Sequence, residues 1–277
     1  MGRAAEARAP RRLAICLDDS GLHAGVHRAA LALARLGRIS ATSAMVGAPC
    51  WREAAAALRD LDPARIDIGL HLDLTEHPLD AGLRQPLAQW LARSHLGLVD
   101  GTRMRREIEA QLDAFEQALG RPPAYVDGHQ HVHQLPGVRG PLVAALRARA
   151  WPVRPWLRDT RQAPGTGRKA WLIEFLGSGG LRRLARAGGF RQNGHFLGVY
   201  DFAGDAARYL ALLDGWIAAA ADGDLMMCHA APDAPADDAI GPARLREYAV
   251  LAGEDFGRML ETRGVAVAPL SAILAAG

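Results

Sequence analysis

Lysine is nearly missing from this chain: Lys169 is the single one, and arginine carries the rest of the basic charge. With 33 basic against 30 acidic residues the formal net charge is +3, a near balance that excludes the one-signed surface of a nucleic-acid-binding protein. The densest basic cluster, Arg8 to Arg12, opens the chain, and residues 1–11 read as a flexible basic tail ahead of one domain, 12–277. Long apolar runs are also lacking. No stretch could span a bilayer, and the first dozen residues hold no signal-peptide core, so the expectations are no integral membrane segment and a cytoplasmic location. Cysteine is scarce: Cys16, Cys50 and Cys228 are odd in number and lack the close spacing of a zinc knuckle or redox pair, which predicts buried free thiols.

What is present is apolar content of 49% over 277 residues, enough for one large core. Short β-rich runs ending in polar residues alternate with segments of helical apolar spacing, the rhythm of parallel strands joined by helices. Strands are predicted at Arg12 to Leu17, Ser40 to Val46, Asp67 to Leu70, Tyr125 to Asp127, near Val153, at Leu225 to Cys228 and near Val265 to Ala268. A helix from Ala24 to Leu36 closes at Gly37. Met104, Ile108, Leu112, Phe115 and Leu119 form one stripe on a helix that Gly120 and Pro122-Pro123 end. Further helices are expected from Gly137 to Ala150, around Tyr209 to Ile217, and from Pro242 to Thr262. Asp73 to Gly101 reads as a long loop over one end of the fold. The Gly/Arg-rich segment Arg161 to Asn193, with an amphipathic piece around Trp171 to Leu184, has no assigned role.

Four reactive clusters stand at predicted strand ends: Asp18-Asp19, His71, Asp127 to His133, and His229. In a parallel barrel the C-terminal strand ends meet on one face, so groups remote in sequence converge there. One carboxylate and two imidazoles make an open site for a divalent ion, and Asp19, His71 and His129 fit that description. Neighbouring strand residues point apart, so Asp18 is expected to accept a proton rather than bind the same ion. His229 suits proton delivery to a leaving amine. Three of the clusters also have a plainer account: Asp19 or Ser20 as a helix N-cap, His71 and His229 as buried hydrogen-bonded histidines. His129, His131 and His133 would share one side of an extended segment, and an H-x-H pair also opens two-metal sites, so spacing alone does not say which of them binds. Trp151, Trp156 and Tyr200 are expected to pack rather than stack on a sugar. Arg154, after the strand at Val153, is either a partner of Asp18 or the sugar, or a surface ion-pair residue.

Cys16-Leu17-Asp18-Asp19-Ser20-Gly21-Leu22, Thr42 to Val46, Gly69 to Thr75 and Asp127 to His133 resemble, in order and spacing, the motifs of the YdjC (ChbG/HpnK) family. Gly198 to Phe202, Met226 to His229 and Arg244 to Tyr248 resemble its C-terminal half. The resemblance implies an α/β fold: a (β/α) barrel, irregular or incomplete, of the glycoside hydrolase/deacetylase type. It also implies one divalent metal ion, Mg or Zn first and Mn or Co next, and removal of the acetyl group from an N-acetylated amino sugar, a chitooligosaccharide or a glycolipid-linked sugar. By position, the family's metal ligands fall on Asp19, His71 and His129, its base on Asp18 and its C-terminal catalytic histidine on His229. The chain departs from the family at Ser20, where an aromatic residue is usual, and at Ala230-Ala231, where Pro-Gly is common. The competing expectations are a two-metal amidohydrolase-like enzyme opening with His129 and His131, and a catalytically silent carbohydrate-binding barrel. A homodimer is an allowed assembly.

Overall fold

The computed structural model describes residues 9–163 and 173–276. Eight parallel strands form one sheet: β1 (Arg11–Ser20), β2 (Ala41–Ala44), β3 (Asp67–Leu72), β4 (Tyr125–Gly128), β5 (Trp156–Leu157), β6 (Phe196–Leu197), β7 (Asp224–Cys228) and β8 (Val265–Val267). Their order is β5-β4-β3-β2-β1-β7-β6, with β8 also on β1. The sheet curls, and each edge strand gains an isolated parallel bridge beyond it, Leu157 of β5 with Gln192 and Phe196 of β6 with Gln162. This is the irregular (β/α) barrel that the family resemblance implies, built from the parallel strands and helices that the alternating rhythm predicts.

Side-chain alternation along β1 divides the core. Leu13, Ile15 and Leu17 point outward into the main cluster, beneath helices such as α1 (Ala24–Arg35) and α2 (Trp51–Arg59). Ala14 and Cys16 point inward, where Tyr125, Trp156, Phe196 and Met227 fill the barrel. Tyr125 and Trp156 stack with centroids 4.0 Å apart, a pair worth about 1 kcal/mol beyond its burial. Gly69 makes room for this stack, because a Cβ there would lie 2.4 Å from the Tyr125 ring. Trp156 therefore packs, and so do Trp151, bonded to Glu116, and Tyr200, bonded to Glu247.

The predicted apolar stripe from Met104 to Leu119 is buried on one long helix after Leu87–His95 (α3), namely α4 (Gly101–Leu119). Asp100 caps its start, accepting from the amides of Thr102 and Arg103, and left-handed Gly120 ends it. The predicted loop from Asp73 to Gly101 is more regular than expected. It holds a 3₁₀ turn, Ala81–Leu83, and α3. Buried carboxylates order it: Asp73 accepts from the amides of Thr75, Glu76 and His77, and Glu107 from those of Leu79 and Asp80.

Beyond α5 (Arg139–Ala148) the strand expected near Val153 lies instead at Trp156–Leu157, and Val153 is 76% exposed. Of the amphipathic piece, Trp171 lies outside the described residues, as do residues 1–8 of the tail. Its later part forms α6 (Ser178–Gly188). The predicted 242–262 helix is two, α8 (Gly241–Ala252) and α9 (Glu254–Thr262), after α7 (Ala206–Ala219). Gly253 parts them with extended backbone (φ −70°, ψ 157°). Helix α10 (Leu270–Ala275) packs Leu270 and Ile273 against the inner barrel residues. No described helix is long and apolar enough to cross a membrane.

Candidate active site

Strand register assembles the site. Leu17 pairs with Cys228, so the next residues, Asp18 and His229, leave neighbouring strands side by side. His71 pairs with Asp127 across β3 and β4. Asp18 continues the inward series Ala14, Cys16. Asp19 would turn outward by strict alternation, but the β1–β2 register shifts between Leu17 and Ser20, and Asp19 takes a left-handed φ of 69°. This bulge re-aims the second carboxylate, so both aspartates are buried at one site, which corrects the expectation that neighbours must point apart.

The two carboxylates enter different networks. Asp19 Oδ1 lies 2.9 Å from His129 Nδ1 and 3.3 Å from His71 Nε2. One ligand atom from each of these three residues falls within 4.8 Å of the others. His71 turns its other nitrogen to Asp127 Oδ1 at 2.6 Å, the carboxylate–histidine relation that orients metal ligands. Glu76 Oε1 stands 3.2 Å from His129 Nε2. Arg244 donates to Asp19 Oδ2 at 2.8 Å and to Asp238 at 2.7 Å. A carboxylate whose Oδ1 faces two imidazoles, one of them oriented from behind by Asp127, fits a divalent cation.

Asp18 instead meets a guanidinium. Arg158 donates from Nη1 and Nη2 to its two oxygens at 2.6 and 2.7 Å, and Ser43 adds a hydroxyl at 3.0 Å. The same Nη2 reaches Asp127 Oδ2 at 2.6 Å and Cys16 Sγ at 3.1 Å. Cys16, Asp18 and Asp127 could by spacing hold a second metal ion. Arg158 fills that place with its own positive charge.

Electrostatics follows from these pairs. Burial alone would raise the Asp18 carboxyl, but Arg158 outweighs it and holds Asp18 below its usual range. Burial is outweighed at Asp19 too, by Arg244 and His129. Desolvation would lower His71, yet Asp127 lifts it to about 9, and Asp19 lifts His129 well above an ordinary imidazole.

The three histidines of the Asp127 to His133 run do not share one side, because the segment is not extended. His129–Gln134 is a 3₁₀ turn broken by left-handed Gln130 (φ 50°) and His131 (φ 61°), each costing about 1–2 kcal/mol for a non-glycine residue. His129 joins Asp19, while His131 turns its ring to Phe196 with centroids 5.5 Å apart, and burial and then Arg158 push its imidazole well below the usual range. His133 is fully buried, its Nε2–H donating to the Arg158 carbonyl at 3.1 Å. His229 closes the site from β7: its amide donates to Glu247 at 2.6 Å and its ring meets Phe202 edge-on at 5.2 Å. Ser20 bonds to Thr42 at 2.7 Å.

Four site residues carry no role in the sequence reading: Arg158, Asp127, Arg244 and Glu76. Arg158 had a signal, since it follows a short β-rich run as the other site residues do. Placing that strand at Val153 pointed instead to Arg154, which bonds to the Gly188 carbonyl and lies over Phe190.

A curled parallel barrel with an Asp-His-His cluster beside a buried aspartate–arginine pair at its C-terminal strand ends defines a class of α/β proteins with a candidate metal centre. Within it, the YdjC-like protein model matches residues 12–262, and the chain belongs to that family. Chitooligosaccharide deacetylases of Yersinia pestis (strain Pestoides F) and Yersinia pseudotuberculosis serotype O:1b (strain IP 31758) are 35% identical over 150 residues. That match covers 51% of this chain and 58% of theirs. A putative cellobiose-phosphate cleavage protein from Enterococcus faecalis V583 shares the fold with a TM-score of 0.71 and 22% identity, over 96% of this chain and 99% of that one. An uncharacterized protein from Agrobacterium tumefaciens C58 follows at 0.55 and 13%, over 98% and 92%.

Proposed function

We propose that this protein is a divalent-metal-dependent deacetylase of N-acetylated amino sugars, of the chitooligosaccharide or glycolipid-linked kind. The observation that carries this reading is the convergence of Asp19, His71 and His129 beside an Asp18 that Arg158 keeps ionised. The activity named for the Yersinia relatives supports the substrate class.

Asp19, His71 and His129 would hold the ion, Mg or Zn first and Mn or Co next. When bound, it supplies Lewis acidity that polarises the acetyl carbonyl and acidifies water. Asp18 accepts a proton from the attacking water, whose oxygen forms the new bond to the acetyl carbon. Arg158 serves that step by keeping the carboxylate charged and fixed by its two hydrogen bonds. As the C–N bond breaks, the amine nitrogen takes a proton from His229, one strand from Asp18. Acetate and the free amine are the products.

The two-cation alternative draws little support, because His131 turns to Phe196 and Arg158 occupies the other cluster of ligating side chains among the described residues. A modified lysine bridging two ions is the other mark of that alternative, and Lys169, in an unpromising segment for it, lies outside the described residues. A silent binding barrel is disfavoured because the chain keeps every reactive group the mechanism needs: Asp18, Asp19, His71, His129 and His229.

The test is acetate release from N-acetylglucosamine oligomers with each metal, for wild type, Asp18→Asn and His129→Ala. Asp18→Asn should lose a factor of about 10²–10⁴ in kcat, the usual share of a general base, while still binding metal. Full activity in either variant refutes the assigned roles.

A further inference from the structure

His131 is left without a task by this mechanism. It does not join the Asp19 cluster, and the support of the Arg158 carbonyl falls to His133. Yet the chain holds it in an unfavourable backbone conformation next to Gln130 in the same state, where glycine would sit without steric cost. Strain over two successive residues, at the end of a strand that feeds a reactive site, directs attention to what the side chain gains there.

The ring's surroundings answer that. His131 meets Phe196 edge-on, and the Arg158 guanidinium lies over the same Phe196 ring at 5.4 Å. His131 and the Arg158 that holds Asp18 thus share the Phe196 ring, which places the imidazole beside the Asp18–Arg158 pair. Its Nδ1 is enclosed and has no hydrogen-bond partner. Its Nε2 has no partner among the described residues either, and the half-buried side chain keeps that end open. An enclosed N–H without a partner is rarer and costlier than an enclosed lone pair. The proton thus belongs on Nε2, which leaves an unused donor at the end of the ring that is not enclosed.

We propose that His131 is a substrate-recognition residue whose Nε2–H donates a hydrogen bond to an oxygen of the bound N-acetylated sugar. This rests on the deacetylase reading of the same site. The bond forms in the ground state and persists through the reaction, so it acts on binding.

The experiment uses the full chain loaded with metal. Acetate release from di-N-acetylchitobiose is measured for wild type, His131→Ala, His131→Gln and His131→Asn, with metal affinity by calorimetry. Alanine should raise KM about 3- to 10-fold, the worth of one neutral hydrogen bond, with kcat and metal affinity little changed. Glutamine, whose amide nitrogen reaches the Nε2 position, should restore KM, and the shorter asparagine should not. An unchanged KM in His131→Ala, equal loss in the alanine and glutamine variants, or loss of metal affinity overturns the proposal. In ¹⁵N-histidine-labelled wild type, His131 should show the Nε2–H tautomer, and the disaccharide should shift that nitrogen. The Nδ1–H tautomer, or no shift on adding disaccharide, overturns it too. If the disaccharide shifts Nε2 but no acetate is released, the donor stands and the deacetylase reading falls.

Discussion

Acid should weaken this fold through His133. The side chain is fully buried, and burial brings its imidazole down to about 4, against an ordinary histidine near 6.5. In the unfolded chain the ring takes up a proton first. The stability it contributes is therefore complete above about pH 6.5 and is lost as pH falls toward about 4. A depression of about 2.5 units corresponds to about 3 kcal/mol in full, of which about 2.5 kcal/mol is gone by about pH 4.5. His133→Gln keeps an N–H for the Arg158 carbonyl but cannot titrate. Urea unfolding followed by tryptophan fluorescence, at about pH 8 and about pH 4.5, should show a loss between the two conditions smaller by about 2.5 kcal/mol in the variant. Equal losses in the two proteins would refute the burial argument.

Three further outcomes follow from the same geometry. Arg158→Met strands the Asp18 and Asp127 carboxylates without their buried cation and should cost about 3–5 kcal/mol, read from thermal unfolding. Chelator-stripped protein should lose acetate release and regain it with metal; a cation at a hundred times its Kd should add about 2.7 kcal/mol of stability, and Asp19→Ala should abolish that gain. Gly47→Ala would place a Cβ 1.9 Å from the His77 carbonyl, so it should shift the loop carrying Glu76 and cost about 1–3 kcal/mol in unfolding free energy.

The features legible in the sequence were those set by periodicity and by chain order. Inward and outward alternation along β1, the Met104 to Leu119 stripe and the strand-end positions of Asp18, His71 and His229 all follow from spacing. The convergence of Asp19 and His71 with the Asp127 to His133 run follows as well, because parallel strands bring their C-terminal ends to one rim, while the choice of His129 within that run rested on the family resemblance. Arg158 was hidden for a local reason. Its strand is two residues long, too short for any period to mark it, and a misplacement of three residues moved attention to Arg154. Arg244 acts across 225 residues of sequence separation, and no local pattern carries such a contact.

The deeper obstacle is that the chemistry sits where the backbone departs from its regular states. Regular alternation would put Asp18 and Asp19 on opposite faces of β1, and one of the two proposed roles, base or ligand, would be lost. A left-handed φ at Asp19 removes that choice, delivering one carboxylate to Arg158 and the other to two histidines. The same device acts at Gln130 and His131, where regular extended spacing would have lined three imidazoles along one side. The turn sends them instead to three different neighbours: Asp19, Phe196 and the Arg158 carbonyl. Non-glycine residues in these conformations leave no compositional mark, since Asp, Gln and His are ordinary strand-end residues. Sequence patterns find such a site because the fold brings the strand ends together, and they leave open which neighbour each histidine meets because the left-handed turns decide which way each one faces.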